Sequence, residues 1–142
     1  MITFFGTKVQ WESEEKGWII SNGPVPIETA SYKNHPGLWS PENLFIASVN
    51  ISFMQCFLEA CKNVGLPVLF YDSNATGEAL RGTERISEII IEPKIIILNG
   101  ADFTQVLKCL EYAEKNNIIS NSMRARIIVQ PKIEYKLLEE II

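Results

Sequence analysis

The sequence predicts an α+β domain of mainly antiparallel sheet, built around one long helix. Three observations carry that reading. Residues 40–62 form a capped segment with no glycine or proline after Pro41 at its first helical position. β-Rich segments are grouped on either side of it, not alternated one by one with helices, which separates α+β from α/β architecture. Residues 85–98 hold seven isoleucines (Ile86, Ile89, Ile90, Ile91, Ile95, Ile96, Ile97), and β-branched crowding of this kind favours a strand.

Residues 2–12 alternate and are β-rich, and residues 17–21 read as a second strand across the polar turn Ser13-Glu14-Glu15-Lys16. Asn22-Gly23-Pro24 is a turn. Residues 25–28 give a third short strand, which Pro24 and Pro26 confine to an edge. Residues 31–39 form a loop with Asn34-His35-Pro36-Gly37 at its tip. The long helix opens with Ser40 as N-cap and Pro41 at the first helical position, where a missing N–H costs nothing. Glu42 complements the helix dipole, and Gly65 with Pro67 marks the stop. Six turns or so follow. Its apolar residues lie almost all round, the mark of a helix buried in a protein or an oligomer core. Ser48, Asn50 and Ser52 sit within this apolar segment and require partners or a cavity.

Val68 opens a strand running toward Leu80, and Gly82 turns the chain into the isoleucine strand, where Pro93 implies a bulge or an edge. Asn99-Gly100 is a turn, and Asp102 caps a second helix to about Lys115. Asn116-Asn117 ends it, residues 118–123 add a short helical turn, and residues 124–135 read as the last strand, with a bulge or edge at Pro131. Residues 137–142 are apolar enough to continue that strand or to pack on a partner. The predicted order is β-β-β-α-β-β-α-β, one domain over residues 1–142.

Bulk properties narrow the function. The formal net charge of −4 argues against nucleic acid and anionic membrane surfaces. Asn50, Gln55 and Glu59 interrupt the long helix as a bilayer span. The start of the chain lacks the pattern of a signal peptide. Three cysteines without metal-type spacing and a single histidine predict no metal, no cofactor and no disulfide framework, with a reduced cytoplasmic location as the default. GxSxG, P-loop and GxGxxG motifs are absent. His35 reads as surface decoration, Trp11, Trp18 and Trp39 as packing or interface anchors, and Cys56, Cys61 and Cys109 as small core residues.

The run Gly37-Leu38-Trp39-Ser40-Pro41-Glu42-Asn43-Leu44-Phe45, with Phe53-Met54 further along the same helix, resembles the OsmC/Ohr family (osmotically induced and organic hydroperoxide resistance proteins). Ala75-Thr76-Gly77-Glu78-Ala79-Leu80, the strand Ile86 to Ile91, and the stretch from Ala113 through Asn121-Ser122-Met123 fall where that family has its pattern. The resemblance covers about residues 9–135. It implies an intertwined homodimer with two central helices wrapped by sheets. It also implies thiol-dependent reduction of hydroperoxides by a peroxidatic cysteine, a resolving cysteine, and an Arg and a Glu that activate the first thiol.

Carried over residue by residue, the resemblance places Ser52, eleven positions after Pro41 and just before Phe53, at the peroxidatic position. Asn117 stands at the resolving position, counted back from Ser120, and Glu42 matches the glutamate. No arginine precedes Arg81. A serine hydroxyl cannot run the sulfenic acid and disulfide cycle. Glu42 and Ser52 are also about 15 Å apart along one helix, so they meet only across a dimer interface. Cys56, one turn beyond Ser52, is the substitute thiol. Three expectations stay open: an OsmC-like homodimer without peroxidase chemistry, holding a small apolar molecule in an interface pocket lined by Ser48, Ser52, Phe53 and Cys56; a hydroperoxide reductase using Cys56; and a purely structural or interaction protein. Whether the chain is an enzyme is open with them.

Overall fold

A computed structural model describes residues 1–137 and 139. The expectation for the apolar tail lies largely outside the described residues. The chain divides into two compact units, Met1–Phe45 and Ile46–Ile142.

The first unit is a three-stranded antiparallel sheet of β1 (Lys8–Ser13), β2 (Lys16–Ile20) and β3 (Ile27–Thr29), in that order. The β1–β2 turn places Glu14 at φ 51°, and the Trp11 indole Nε1–H donates to its carbonyl at 2.7 Å. Gly17 is demanded by close approach: a Cβ there would stand 2.8 Å from the Gln10 carbonyl oxygen. The first strand is shorter than the sequence suggests. Lys8 pairs with Ile20, the last residue of β2, so residues 2–7 run past the end of their neighbour and gain no ladder. β3 lies at the sheet edge and begins just after Pro26, so both prolines precede the paired residues and the strand is shifted from the expected 25–28. After it, the Ala30 N–H donates to the Trp39 carbonyl at 2.9 Å, closing the 31–39 loop.

Helix α1 (Pro41–Asn63) begins as expected, with Ser40 Oγ accepting from the Asn43 N–H at 3.1 Å. It ends with Gly65 at φ 70° and the Leu66 N–H donating to the Cys61 carbonyl at 2.9 Å. By length and composition α1 would suit a membrane span, with a mean hydropathy of 1.5. Within the second unit, its Val49, Phe53, Phe57, Ala60 and Cys61 are core residues.

The second unit holds a four-stranded sheet centred on β5 (Arg85–Leu98). β4 (Val68–Leu80) pairs antiparallel on one side of it. On the other side β6 (Arg126–Val129) and β7 (Lys132–Lys136) pair parallel, one after the other. The single last strand of the sequence reading is therefore two strands broken at Pro131, and they pair parallel in a fold whose other strand pairings are antiparallel, in keeping with a mainly antiparallel reading. Pro93 sits on the central strand, opposite Ser73, and not at an edge. It falls where the second ladder passes from β6 to β7, between the pairs Ile91–Val129 and Lys94–Lys132, so its missing N–H meets a gap in hydrogen bonding. Ile89, Ile91, Ile95 and Ile97 lie on one face of β5 and are fully buried. These join the α1 stripe and Val106, Cys109, Leu110 and Ala113 of α2 (Phe103–Asn116) in one hydrophobic cluster. Asp102 caps α2 through the Thr104 N–H at 2.9 Å. The short α3 (Ile118–Asn121) follows at once.

Candidate functional site

Two of the polar residues inside α1, Asn50 and Ser52, find partners on distant elements. Ser73 Oγ donates to Asn50 Oδ1 at 2.6 Å, and Asn50 Nδ2 donates back to the Ser73 carbonyl at 3.4 Å, which ties α1 to β4. Ser52 Oγ donates to Asn117 Oδ1 at 2.6 Å. Asn117 is 1% exposed and Ser52 9%, so this bond is shielded from water.

Asn117 is the hub of the site. It is both the last cap of α2 and the N-cap of α3. Its Oδ1 accepts from the Ile119 and Ser120 N–H groups at 3.0 and 3.2 Å, in addition to the Ser52 hydroxyl. Its Nδ2 donates to the Val49 carbonyl at 3.4 Å, and Ser120 Oγ donates to its own carbonyl at 3.1 Å. One buried side chain thus joins two helix ends to the middle of α1. The sequence reading took Asn116-Asn117 as a helix terminator, and in the fold Asn117 also fastens α1.

The substitute thiol lies beside this hub. Cys56 is half-buried, and its Sγ–H points to the Asn116 carbonyl at 3.7 Å. That neighbour is an acceptor, not the cation that activates a thiol. Phe53 is fully buried in the core cluster, and Ser48 is half-buried. Cys61 and Cys109 lie deeper, at 1% and 3% exposure. Burial first, and the adjacent Cys109 second, push the Cys61 thiol up to about 12. Almost none of it is thiolate near neutrality, so it is not a peroxidatic nucleophile.

Glu42 occupies the exposed first turn of α1, in the first unit. It lines a cleft of about 270 Å³ together with Glu15, Thr29, Ser31, Tyr32 and Pro41. A second feature escaped the sequence reading. His35 Nε2 stands 3.8 Å from Glu14 Oε2 and 3.7 Å from Glu15 Oε1. Asn34 Nδ2 donates to Glu15 at 2.7 Å, and this bond, opposed by slight desolvation, holds the Glu15 carboxyl below its ordinary value. Among the described residues this is a group whose ligand-type atoms converge, all within 4.8 Å of one another. Both carboxylates are exposed, and the His35 Nε2 that faces them is buried and makes no hydrogen bond, since both oxygens lie beyond hydrogen-bond distance. Nothing in the local sequence pairs residues 14 and 35; the 31–39 loop brings them together, where Asn34 also meets Glu15.

The two units and their topology define a class: an α+β protein with a long apolar helix, a mixed sheet, and a polar hub where a second helix meets the first. Comparison with solved structures places that architecture. The fold is that of the OsmC-like and organic hydroperoxide resistance proteins. An OsmC-like protein of unknown function from Vibrio cholerae superposes with a TM-score of 0.81 at 18% identity, over 92% of this chain and 100% of its own. An OsmC-like protein from Mycoplasma pneumoniae gives 0.82 at 12% identity, over 94% and 99%. An organic hydroperoxide resistance protein from Elizabethkingia anophelis gives 0.70 at 18% identity, over 96% and 100%. No family model and no curated protein sequence matches the chain.

Proposed function

We propose that this chain is an OsmC/Ohr-type protein in which a fixed hydrogen bond has replaced the redox thiol pair. In this reading the chain carries no thiol peroxidase activity. It acts as a cytoplasmic homodimer of one OsmC-like domain per protomer that holds a small apolar molecule at the interface. The observation that carries it is the Ser52–Asn117 bond at 2.6 Å. The resemblance puts these residues at the peroxidatic and resolving positions, and the two side chains do meet. A hydroxyl bonded to an amide oxygen has no two-electron redox chemistry, and no arginine precedes Arg81 to activate a nucleophile.

The homodimer is supported by apolar surface. Phe45 is 38% exposed and Ile51 51% exposed on α1, and every residue of β1 is exposed, Val9 and Trp11 included. A three-stranded sheet and a helix of this composition bury such faces in an assembly. The apolar ligand is supported by the composition of α1. The cytoplasmic setting is supported by three free cysteines.

The second reading, a hydroperoxide reductase using Cys56, rests on that thiol being half-buried one turn from Ser52. The two readings part in an assay of organic hydroperoxide consumption driven by dithiothreitol. No turnover above buffer is expected from the wild type. Turnover that Cys56→Ala abolishes would replace the first reading with the second.

A further inference from the structure

Three contacts fix how α1 and α2 run past each other. Ser52 meets Asn117, the Asn117 amide meets the Val49 carbonyl, and Cys56 meets the Asn116 carbonyl. Higher numbers on α1 therefore lie against lower numbers on α2, an antiparallel arrangement. Nine residues on from Ser52, about 13.5 Å along the axis, is Cys61; eight residues back from Asn117, about 12 Å, is Cys109. The same register that joins Ser52 to Asn117 thus brings the two cysteines level. Both are buried in one hydrophobic cluster, and their side chains are hydrogen-bonded to each other. At 100° per residue, Ser52 and Cys61 occupy opposite flanks of the buried stripe of α1. The thiol pair is a separate locus, not an extension of the Ser52 site.

We propose that Cys61 and Cys109 are a closable dithiol, which a small two-electron oxidant converts to a disulfide that locks the end of α1 to α2. Access comes from the position of Cys61, in the last turn of a helix followed by exposed Lys62, Asn63, Val64 and Gly65. Terminal turns open at low cost compared with the core. With an azodicarboxamide such as diamide the step balances. One thiolate adds to a nitrogen of the N=N bond, and the other nitrogen takes a proton. The second thiolate then attacks that sulfur and forms the S–S bond. The displaced nitrogen leaves with the second proton as the hydrazine. The dithiol loses two electrons and the azo compound gains them. The high affinity of Cys61 for its proton makes this closure slow near neutrality, so the pair suits a stoichiometric lock and not a catalytic cycle.

The test treats the native full-length protein with diamide, removes the reagent, and blocks the remaining thiols under denaturing conditions. The wild type is expected to lose about 2 Da as two hydrogens and to keep Cys56 as its one blockable thiol. A chymotryptic map, which cuts between Cys56 and Cys61 at Phe57, is expected to show Cys61 joined to Cys109. Closure accelerates about tenfold per pH unit between pH 7 and pH 9, as the small thiolate fraction grows. Cys56→Ala retains the mass loss and Cys109→Ala abolishes it. Where Cys109→Ala fails to fold, the wild-type map decides alone. An unchanged mass, or oxidation confined to Cys56, overturns the proposal. Because the readout is a disulfide formed without hydroperoxide, its failure is distinct from failure of the proposed function.

Discussion

Ser52 and Asn117 share one hydrogen bond, yet the two residues are not equivalent. Removing the Ser52 hydroxyl leaves Asn117 Oδ1 with two backbone donors, Ile119 and Ser120. Ser52→Ala is therefore expected to cost about 1 kcal/mol, the ordinary net worth of one hydrogen bond. Asn117→Ala strands the Ser52 hydroxyl and removes the cap of α3, and about 2–3 kcal/mol is expected. Urea unfolding midpoints of the two variants check the order; equal losses would contradict the hub role. In the first unit, Asn34→Ala removes the main cause of the low Glu15 carboxyl pKa, so a carboxyl titration by NMR should show Glu15 moving up. The sign for stability follows. A carboxyl held low when folded stabilises above its unfolded pKa and loses that contribution as pH falls, so Asn34→Ala flattens the acid side of the stability profile. At this scale the sequence was partly legible. It marked Ser48, Asn50 and Ser52 as polar groups needing partners, and the resemblance nominated Asn117. It could not show Ser73 as the partner of Asn50, or His35 between Glu14 and Glu15, because each pairing joins residues about 20 or more apart through the fold.

At the scale of elements, local chemistry decided the helices. Ser40, Pro41 and Gly65 bound α1, and Asp102 starts α2, each through backbone groups a few residues away. Such signals are written in sequence because they act within one turn. The sheet is different. Whether residues 126–136 pair parallel or antiparallel depends on where α2 and α3 return the chain, a tertiary matter on which alternation is silent. β1 was overestimated for a similar reason: residues 2–7 have strand chemistry but no strand paired with them, although the Ser21 hydroxyl donates to the Gly6 carbonyl. Gly17→Ala tests the β1–β2 approach. Its Cβ would meet backbone, which cannot rotate away, and a loss of roughly 1–3 kcal/mol is expected in chemical unfolding. Alkaline pH tests the core between α1, α2 and β4. Burial raises the Cys61 thiol from 9.0 and the Tyr71 phenol from 10.0, each to about 12. Groups raised in the folded state stabilise fully below their unfolded pKa values. The melting temperature should therefore hold steady to about pH 9 and fall between pH 9 and pH 12. A profile already falling between pH 7 and pH 9 would contradict this.

For the whole molecule, architecture and activity separate. The topology matches OsmC-like proteins over more than nine-tenths of the chain, and identities of 12–18% leave the site free to diverge. A scaffold is held by many distributed apolar contacts and survives sequence drift; a redox cycle needs particular atoms and does not. The apolar surface of α1 and β1 predicts an assembly of about twice the 16.1 kDa chain mass, which light scattering at micromolar concentration checks; a monomer would contradict the homodimer. The central claim is that the site of Ser52 and Asn117 runs no thiol chemistry. Dithiothreitol-driven reduction of an organic hydroperoxide, measured for the wild type and for Cys56→Ala, tests it most directly. Consumption equal to buffer alone is predicted for both proteins, and turnover by the wild type that disappears in Cys56→Ala would contradict the account.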